Sequence, residues 1–223
     1  MADQTEIAHE IAPTGVIRAA VNMSNAALSR IDATTGNLTG PSIDLAQALA
    51  AETGFPLTIL QYPSAAAILA AADRSEWDVA FIAADPSRAD RFSFSPPYAF
   101  VTATFLVPAQ SGYMRVADVD KRGSIIAAAQ GAAYTKQLER LIKHATISHV
   151  GTAAEAIQQL KAGACDAAAG LKQSLEAAAS EDGNLRKLND AFSEIPQAIA
   201  VPRKMELAAA FLEEFVTRYT ATL

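Results

Sequence analysis

The chain has 223 residues, 51% of them hydrophobic and 19% charged, and a net charge of −6 at neutral pH. That is apolar material for one large domain or two lobes of about 100 residues each. The acidic balance argues against a nucleic-acid partner, because phosphate binding needs a basic face. One cysteine, Cys165 in AGACDAAAG, excludes an internal disulfide and reads as a small buried residue. No apolar run approaches the ~20 residues of a membrane span. Residues 1–12, MADQTEIAHEIA, lack the long apolar stretch of an export signal. Two compartments therefore stay open: periplasmic, if a signal was trimmed from the chain, or cytoplasmic.

Pro13-Thr14-Gly15 punctuates the start, and Val16–Val21 reads as the first strand. Residues 22–40 form a polar connection with a loop signal in DATTG. Gly40-Pro41 opens a helix whose Ile43, Leu45, Ala46, Leu49 and Ala50 recur at helical spacing, and Thr53-Gly54 ends it. A strand at 56–61, an alanine-rich helix at 64–72 capped by Ser64, and a strand from Val79 follow. This β-α-β-α-β order predicts a mostly parallel sheet flanked by helices. Residues 99–107 make a long strand. A second series then gives strands at 124–129 and 146–150, helices at 131–143 and 152–162, a buried strand at 164–169 and a helix at 173–179. Strands at 185–188 and 195–201 and an amphipathic helix at 205–219 complete the chain.

Residues 78–98, DVAFIAADPSRADRFSFSPPY, carry the most information about function. An apolar strand ends at Ala84. Asp85-Pro86 opens a turn or short helix, with Asp85 suited to cap it and Pro86 to its first position. Arg88 follows within one turn. A guanidinium beside free amides at a strand end suits a carboxylate or phosphate, and α/β sheets bind ligands outside the carboxyl ends of their strands. The alternative for Arg88 is a surface pair with Asp85 or Asp90. Phe92, Phe94, Pro96, Pro97 and Tyr98 form an aromatic segment able to wall a cleft. Trp77 reads as packing between helix and sheet.

VIRAAVN, TGNLTGPSIDLAQALA and WDVAFIAADPSRADRFSFSPPY, followed by VADVDKRGSIIAAAQGAAY and AAEAIQQLKAGACDAAAG, together resemble the family 3 extracellular solute-binding proteins. The resemblance implies the type II periplasmic-binding fold: two α/β lobes joined by a two-segment hinge. Lobe 1 would be residues 13–107 plus 198–223, lobe 2 residues 108–197, and residues 1–12 an N-terminal extension. It also implies that Arg88 grips a ligand carboxylate. The hydroxyl usually beside that arginine is missing within Ala83, Ala84 and Asp85. The lobe-2 helix start matches Gln130, Gly131, Ala132 and Ala133, with backbone amides but alanine in place of threonine. The aspartate that would bind an ammonium falls on Gly170 or Leu171. On that count an ordinary α-amino acid is not the expected ligand, and a carboxylate or other anion with a less charged remainder is. Asn22, Asn25, Tyr98, Tyr134, Gln173 and Gln197 complete the candidate ligand contacts.

The leading expectation is a non-catalytic protein that closes two lobes on a small molecule, as the binding component of an ABC transporter, monomeric or weakly dimeric. A cyclohexadienyl-dehydratase-like enzyme and a cytoplasmic sensor or scavenger are the alternatives. Neither cofactor nor metal is expected: the histidines, His9, His144 and His149, lack ligand spacing, and no P-loop or dinucleotide fingerprint occurs.

Overall fold

The structure, a computed structural model, describes residues 4–222. In chain order the elements are α1 (Gln4–Ile11), β1 (Ile17–Asn22), β2 (Arg30–Ile31), β3 (Leu38–Thr39), α2 (Pro41–Thr53), β4 (Leu57–Tyr62), α3 (Ala65–Ala72) and β5 (Val79–Ala83). A single 3-10 turn, Pro86–Arg88, leads to β6 (Phe92–Phe94) and β7 (Ala99–Pro108). Then come α4 (Val116–Val119), β8 (Ile125–Ala129), α5 (Ala133–Leu141), β9 (Thr146–Val150), α6 (Ala153–Lys161) and β10 (Ala167–Leu171). The chain closes with α7 (Lys172–Glu181), β11 (Leu185–Lys187), β12 (Ser193–Pro202) and α8 (Glu206–Thr220).

The chain forms two compact units, one running to Phe100 and resuming at Pro196, the other Val101–Ile195. The divisions fall at 100/101 and 195/196, against the expected 107/108 and 197/198. Both junctions lie inside long strands, β7 and β12, so turn residues such as Pro108 do not mark them.

In the first unit β4, β1 and β5 run parallel, and β12 lies antiparallel to β5 with β6 on its far side. Strand alternation divides the core in two. Ile17, Ala19 and Val21 of β1, Val79 and Phe81 of β5, and Ile199 and Val201 of β12 face α2 and α8. Ala20, Ala80, Ile82 and Ala200 face α3, Trp77 and Phe92. Strands covered on both faces are continuous apolar runs, as VAFIA is. The cap predicted for α3 is present: Ser64 accepts the Ala67 amide at 3.2 Å.

Residues 4–11, expected as part of an extension outside the lobes, form a helix packed on α8. Ile11 is fully buried, and Glu10 accepts the Ala208 amide at 2.8 Å, capping α8 from another element. The length was too short for periodicity to signal it. The same brevity hid β2, β3, β6 and α4.

In the second unit β10, β8 and β9 are parallel, with β7 antiparallel to β10 and β11 beside β7. Its core gathers Leu106, Ala127, Ala168, Leu160, Leu175 and the buried Cys165. Thr152 caps α6 through the Glu155 amide, as its position predicts.

Candidate functional site

In the first unit the carboxyl ends of β1 and β5 are neighbours, since Val21 is registered with Phe81. Gln197 of β12 lies opposite Ala83, the last residue of β5. The fold thus brings Asn22, Asn25, Ala83, Asp85, Arg88 and Gln197 to one edge of one sheet, although they come from three separate stretches of sequence.

Asp85 leaves β5 in extended conformation and caps the 3-10 turn by accepting the Ser87 amide at 2.9 Å. One turn later, Arg88 donates to the carbonyl of Ala83 at 3.1 Å. Its Nε lies 3.8 Å from Oδ2 of Asp85. The alternative for Arg88 in the sequence is a surface pair with Asp85 or Asp90. Arg88 is instead 4% exposed and Asp85 9%. Burial pulls the guanidinium below its ordinary affinity for protons, and the Asp85 carboxylate opposes that pull. At 3.8 Å the pair is looser than the 2.7–2.9 Å typical of a direct charge-assisted hydrogen bond.

Asn25 is 4% exposed, and its Oδ1 has no hydrogen-bond partner among the described residues. Asn22 is committed locally: its Oδ1 accepts the Ser24 amide at 3.1 Å and the Ser24 hydroxyl at 2.8 Å. Gln197 is buried, and its carbonyl accepts the Tyr98 amide at 2.9 Å. Tyr98 packs among the α2-side core, edge-on to Phe81, with its hydroxyl 2.8 Å from that of Ser42. Burial raises its phenol well above the ordinary range, and the Ser42 hydroxyl opposes this. Within the aromatic segment Phe92 is buried and stacks on Trp77, which donates to the Ile68 carbonyl, while Phe94, half-buried, packs against the same core. Sequence periodicity cannot tell a core aromatic from a wall, because both sit in apolar strands.

The connection from β1 to α2 is held by a backbone contact that the sequence shows only as a glycine. Gly40 has φ +120°, and a Cβ there would lie 2.5 Å from the Leu28 carbonyl oxygen. That same carbonyl accepts the Ser42 amide at 3.0 Å. The contact seats the 22–29 segment, including Asn25, against the start of α2.

In the second unit, β8 ends at Ala129 and Gly131 turns the chain at φ +75° into α5. Ala132 precedes this helix without a side-chain cap, so the first amides, at Ala133 and Tyr134, point out of its end. Gln130 is exposed, and Tyr134 is buried. Burial pushes the Tyr134 phenol up to about 12, with the Ala129 backbone opposing. Thr135 closes the turn through the Ala129 carbonyl at 2.7 Å. Gln173 is exposed in the first turn of α7, directly after β10. Gly170 and Leu171 carry no carboxylate, and a Cβ at Gly170 would lie 2.9 Å from the end of the Leu175 side chain.

Among the described residues no group of three His, Cys, Asp or Glu side chains is placed to hold a metal ion, and no helix is long and apolar enough to cross a membrane.

Residues 17–198 match the family model for bacterial extracellular solute-binding proteins, family 3. A comparison with curated protein sequences gives no match. Among solved structures, an amino acid ABC transporter substrate-binding protein from Streptococcus pneumoniae, bound to L-arginine, is similar at 21% identity and TM-score 0.80, over 97% of this chain and 92% of that one. Holo ArgBP from T. maritima is similar at 18% identity and TM-score 0.78, over 94% and 92%. The ancestral amino acid-binding protein AncCDT-1, a precursor of cyclohexadienyl dehydratase, is similar at 21% identity and TM-score 0.77, over 95% and 92%. At these identities the likeness establishes the fold.

Proposed function

The chain belongs to the bacterial extracellular solute-binding proteins of family 3, and from that premise we propose that it binds a small carboxylate-bearing solute for an ABC transporter. The observation that carries this reading is Arg88: a guanidinium 4% exposed, at the carboxyl end of a central strand, beside a turn built to hold it there. A buried guanidinium and a carboxylate form paired charge-assisted hydrogen bonds, each worth about 1.5–3 kcal/mol. Similar proteins bind L-arginine, which carries such a carboxylate. In the proposed cycle the protein closes its two lobes on the ligand, and transporter subunits recognise the closed form. The working compartment is the periplasm or cell exterior.

A dehydratase is the second reading, favoured by the likeness to AncCDT-1. It needs a general acid. Asp85, the carboxylate at the strand-end site, instead accepts an amide and faces a guanidinium, which holds it as an acceptor. Absence of turnover with prephenate and arogenate is expected.

The test is a thermal-shift screen of carboxylates and of the matched amines without a carboxylate. Carboxylates alone raise the melting temperature of the wild type, and Arg88→Met and Arg88→Lys lose the shift. Equal shifts in wild type and both variants refute the grip. Small-angle scattering that shows no compaction with a bound carboxylate refutes closure.

A further inference from the structure

The chain's net charge of −6 falls wholly within the first unit, and the second is balanced. Within the second unit the local fold sorts the charges. β8, β9 and β10 are parallel, so the segments entering them share one end: Ile125 is registered with Thr146, and Asp166 exchanges hydrogen bonds with the Ile125 backbone. Asp120 ties two of those segments together by accepting the amides of Lys143, His144 and Ala145 at 2.7–3.0 Å. The Tyr113 hydroxyl lies 3.1 Å from that of Ser124 and brings the loop before α4 to the same end.

This end displays Arg115, Lys121, Arg122, Arg140 and Lys143, all exposed. Arg122 sits at the tip of a four-residue turn closed by the Ser124 amide on the Lys121 carbonyl at 3.1 Å, and Gly123 supplies the φ of +87° that the turn requires. The acids at the same end are engaged with the chain itself. Asp118, Asp120 and Asp166, half-buried, and Asp190, exposed, all accept backbone amides, and Glu139 faces His149 at 3.5 Å. Among the cations stand Met114, Leu141 and Ile125, 70%, 50% and 38% exposed, and no other large apolar side chain of the second unit is as exposed. Scattered singly, such side chains are ordinary; gathered at one end they mark an interaction surface. An acidic protein face would be met by the cations alone. Aliphatic side chains interleaved with cations match a lipid interface, where anionic headgroups overlie acyl chains.

We propose that this end of the second unit is a docking surface for an anionic phospholipid bilayer, with the cations on headgroup phosphates and Met114, Leu141 and Ile125 entering the interface. Each Lys or Arg near such a surface strengthens binding about fivefold. The same surface repels the acidic first unit, which confines the contact to this end, and salt weakens it by screening beyond a Debye length of about 8–10 Å. The proposal stands on the second unit alone and is independent of the carboxylate reading of Arg88.

The experiment sediments the full chain with vesicles of phosphatidylcholine alone and of phosphatidylcholine with about one-third phosphatidylglycerol, at about 50 and 500 mM salt. The wild type should bind the anionic vesicles at low salt, about tenfold or more weakly at high salt, and the neutral vesicles not at all. Arg122→Glu and Lys143→Glu should each weaken binding about fivefold or more; Lys121→Glu replaces either one that fails to fold. Lys204→Glu makes the same charge change at an exposed position of the first unit and should leave binding unchanged. Met114→Ser combined with Leu141→Ser should weaken binding at both salt concentrations. Absence of binding to anionic vesicles, equal binding to both kinds, or equal weakening by Lys204→Glu overturns the proposal. So does full binding by the serine double variant, since cations alone would then account for the contact. Retention on immobilised polyglutamate without vesicle binding overturns it in favour of an acidic protein partner.

Discussion

Replacing Gly40 with alanine should destabilise the first unit by about 2–6 kcal/mol. Two effects add. The backbone at φ +120° and ψ 167° belongs to the region that only glycine occupies freely, which costs a side chain about 1–3 kcal/mol. The new Cβ would also stand 2.5 Å from the Leu28 oxygen and 2.9 Å from its carbonyl carbon. Those are backbone atoms, so relief requires the 22–29 segment to move, an overpacking cost of about 1–3 kcal/mol. Gly54 is the control. It ends α2 in left-handed conformation at φ +75°, but nothing lies within 4 Å of its would-be Cβ, so Gly54→Ala should cost about 1–2 kcal/mol. The assay is urea unfolding followed by the fluorescence of Trp77, the single tryptophan, which is 2% exposed in the first unit. Because Leu28 moves with the segment that carries Asn25, Gly40→Ala should also weaken ligand binding while Gly54→Ala leaves it unchanged. Equal losses of stability in the two variants would refute the close-approach argument.

Two further substitutions test the scaffold. Asp78 is buried and accepts the Arg18 amide, Nε and Nη2 at 2.9, 3.0 and 2.6 Å. Breaking a buried pair costs about 3–5 kcal/mol, and the partial exposure of Arg18 reduces the expectation for Asp78→Ala to about 2–3 kcal/mol; a loss below 1 kcal/mol by the same fluorescence assay contradicts it. In the second unit, burial raises the affinity of Asp120 for a proton. The amides of Ala145, Lys143 and His144 outweigh this, so its carboxyl titrates below the ordinary value. A carboxyl lowered in the folded state contributes stability that is complete above about pH 4, the unfolded value, and is lost as pH falls through the lower folded value. Asp120→Asn should flatten the acid limb of stability below pH 4, measured by hydrogen exchange of the 143–145 amides; an unchanged acid limb speaks against the assignment.

Apolar runs, capping residues and turn glycines are local signals, and in this chain they were enough to read the elements and their alternation. VAFIA, the caps at Ser64 and Thr152 and the turn at Asp85-Pro86 each state their structure within a few residues. The family followed from the order of such fragments. The choice of Arg88 also came from a local signal, a guanidinium one turn past an apolar strand. Tertiary structure decided what depends on residues far apart in the chain. It buried Phe92 and packed the half-buried Tyr98 against the core, let a short N-terminal helix cap α8 through Glu10, and buried Asp85 with Arg88 where sequence allowed a surface pair. The reason is physical. A residue's type and spacing set its conformational preference, but burial, and with it the strength of every charge, is a property of what the rest of the chain packs around it.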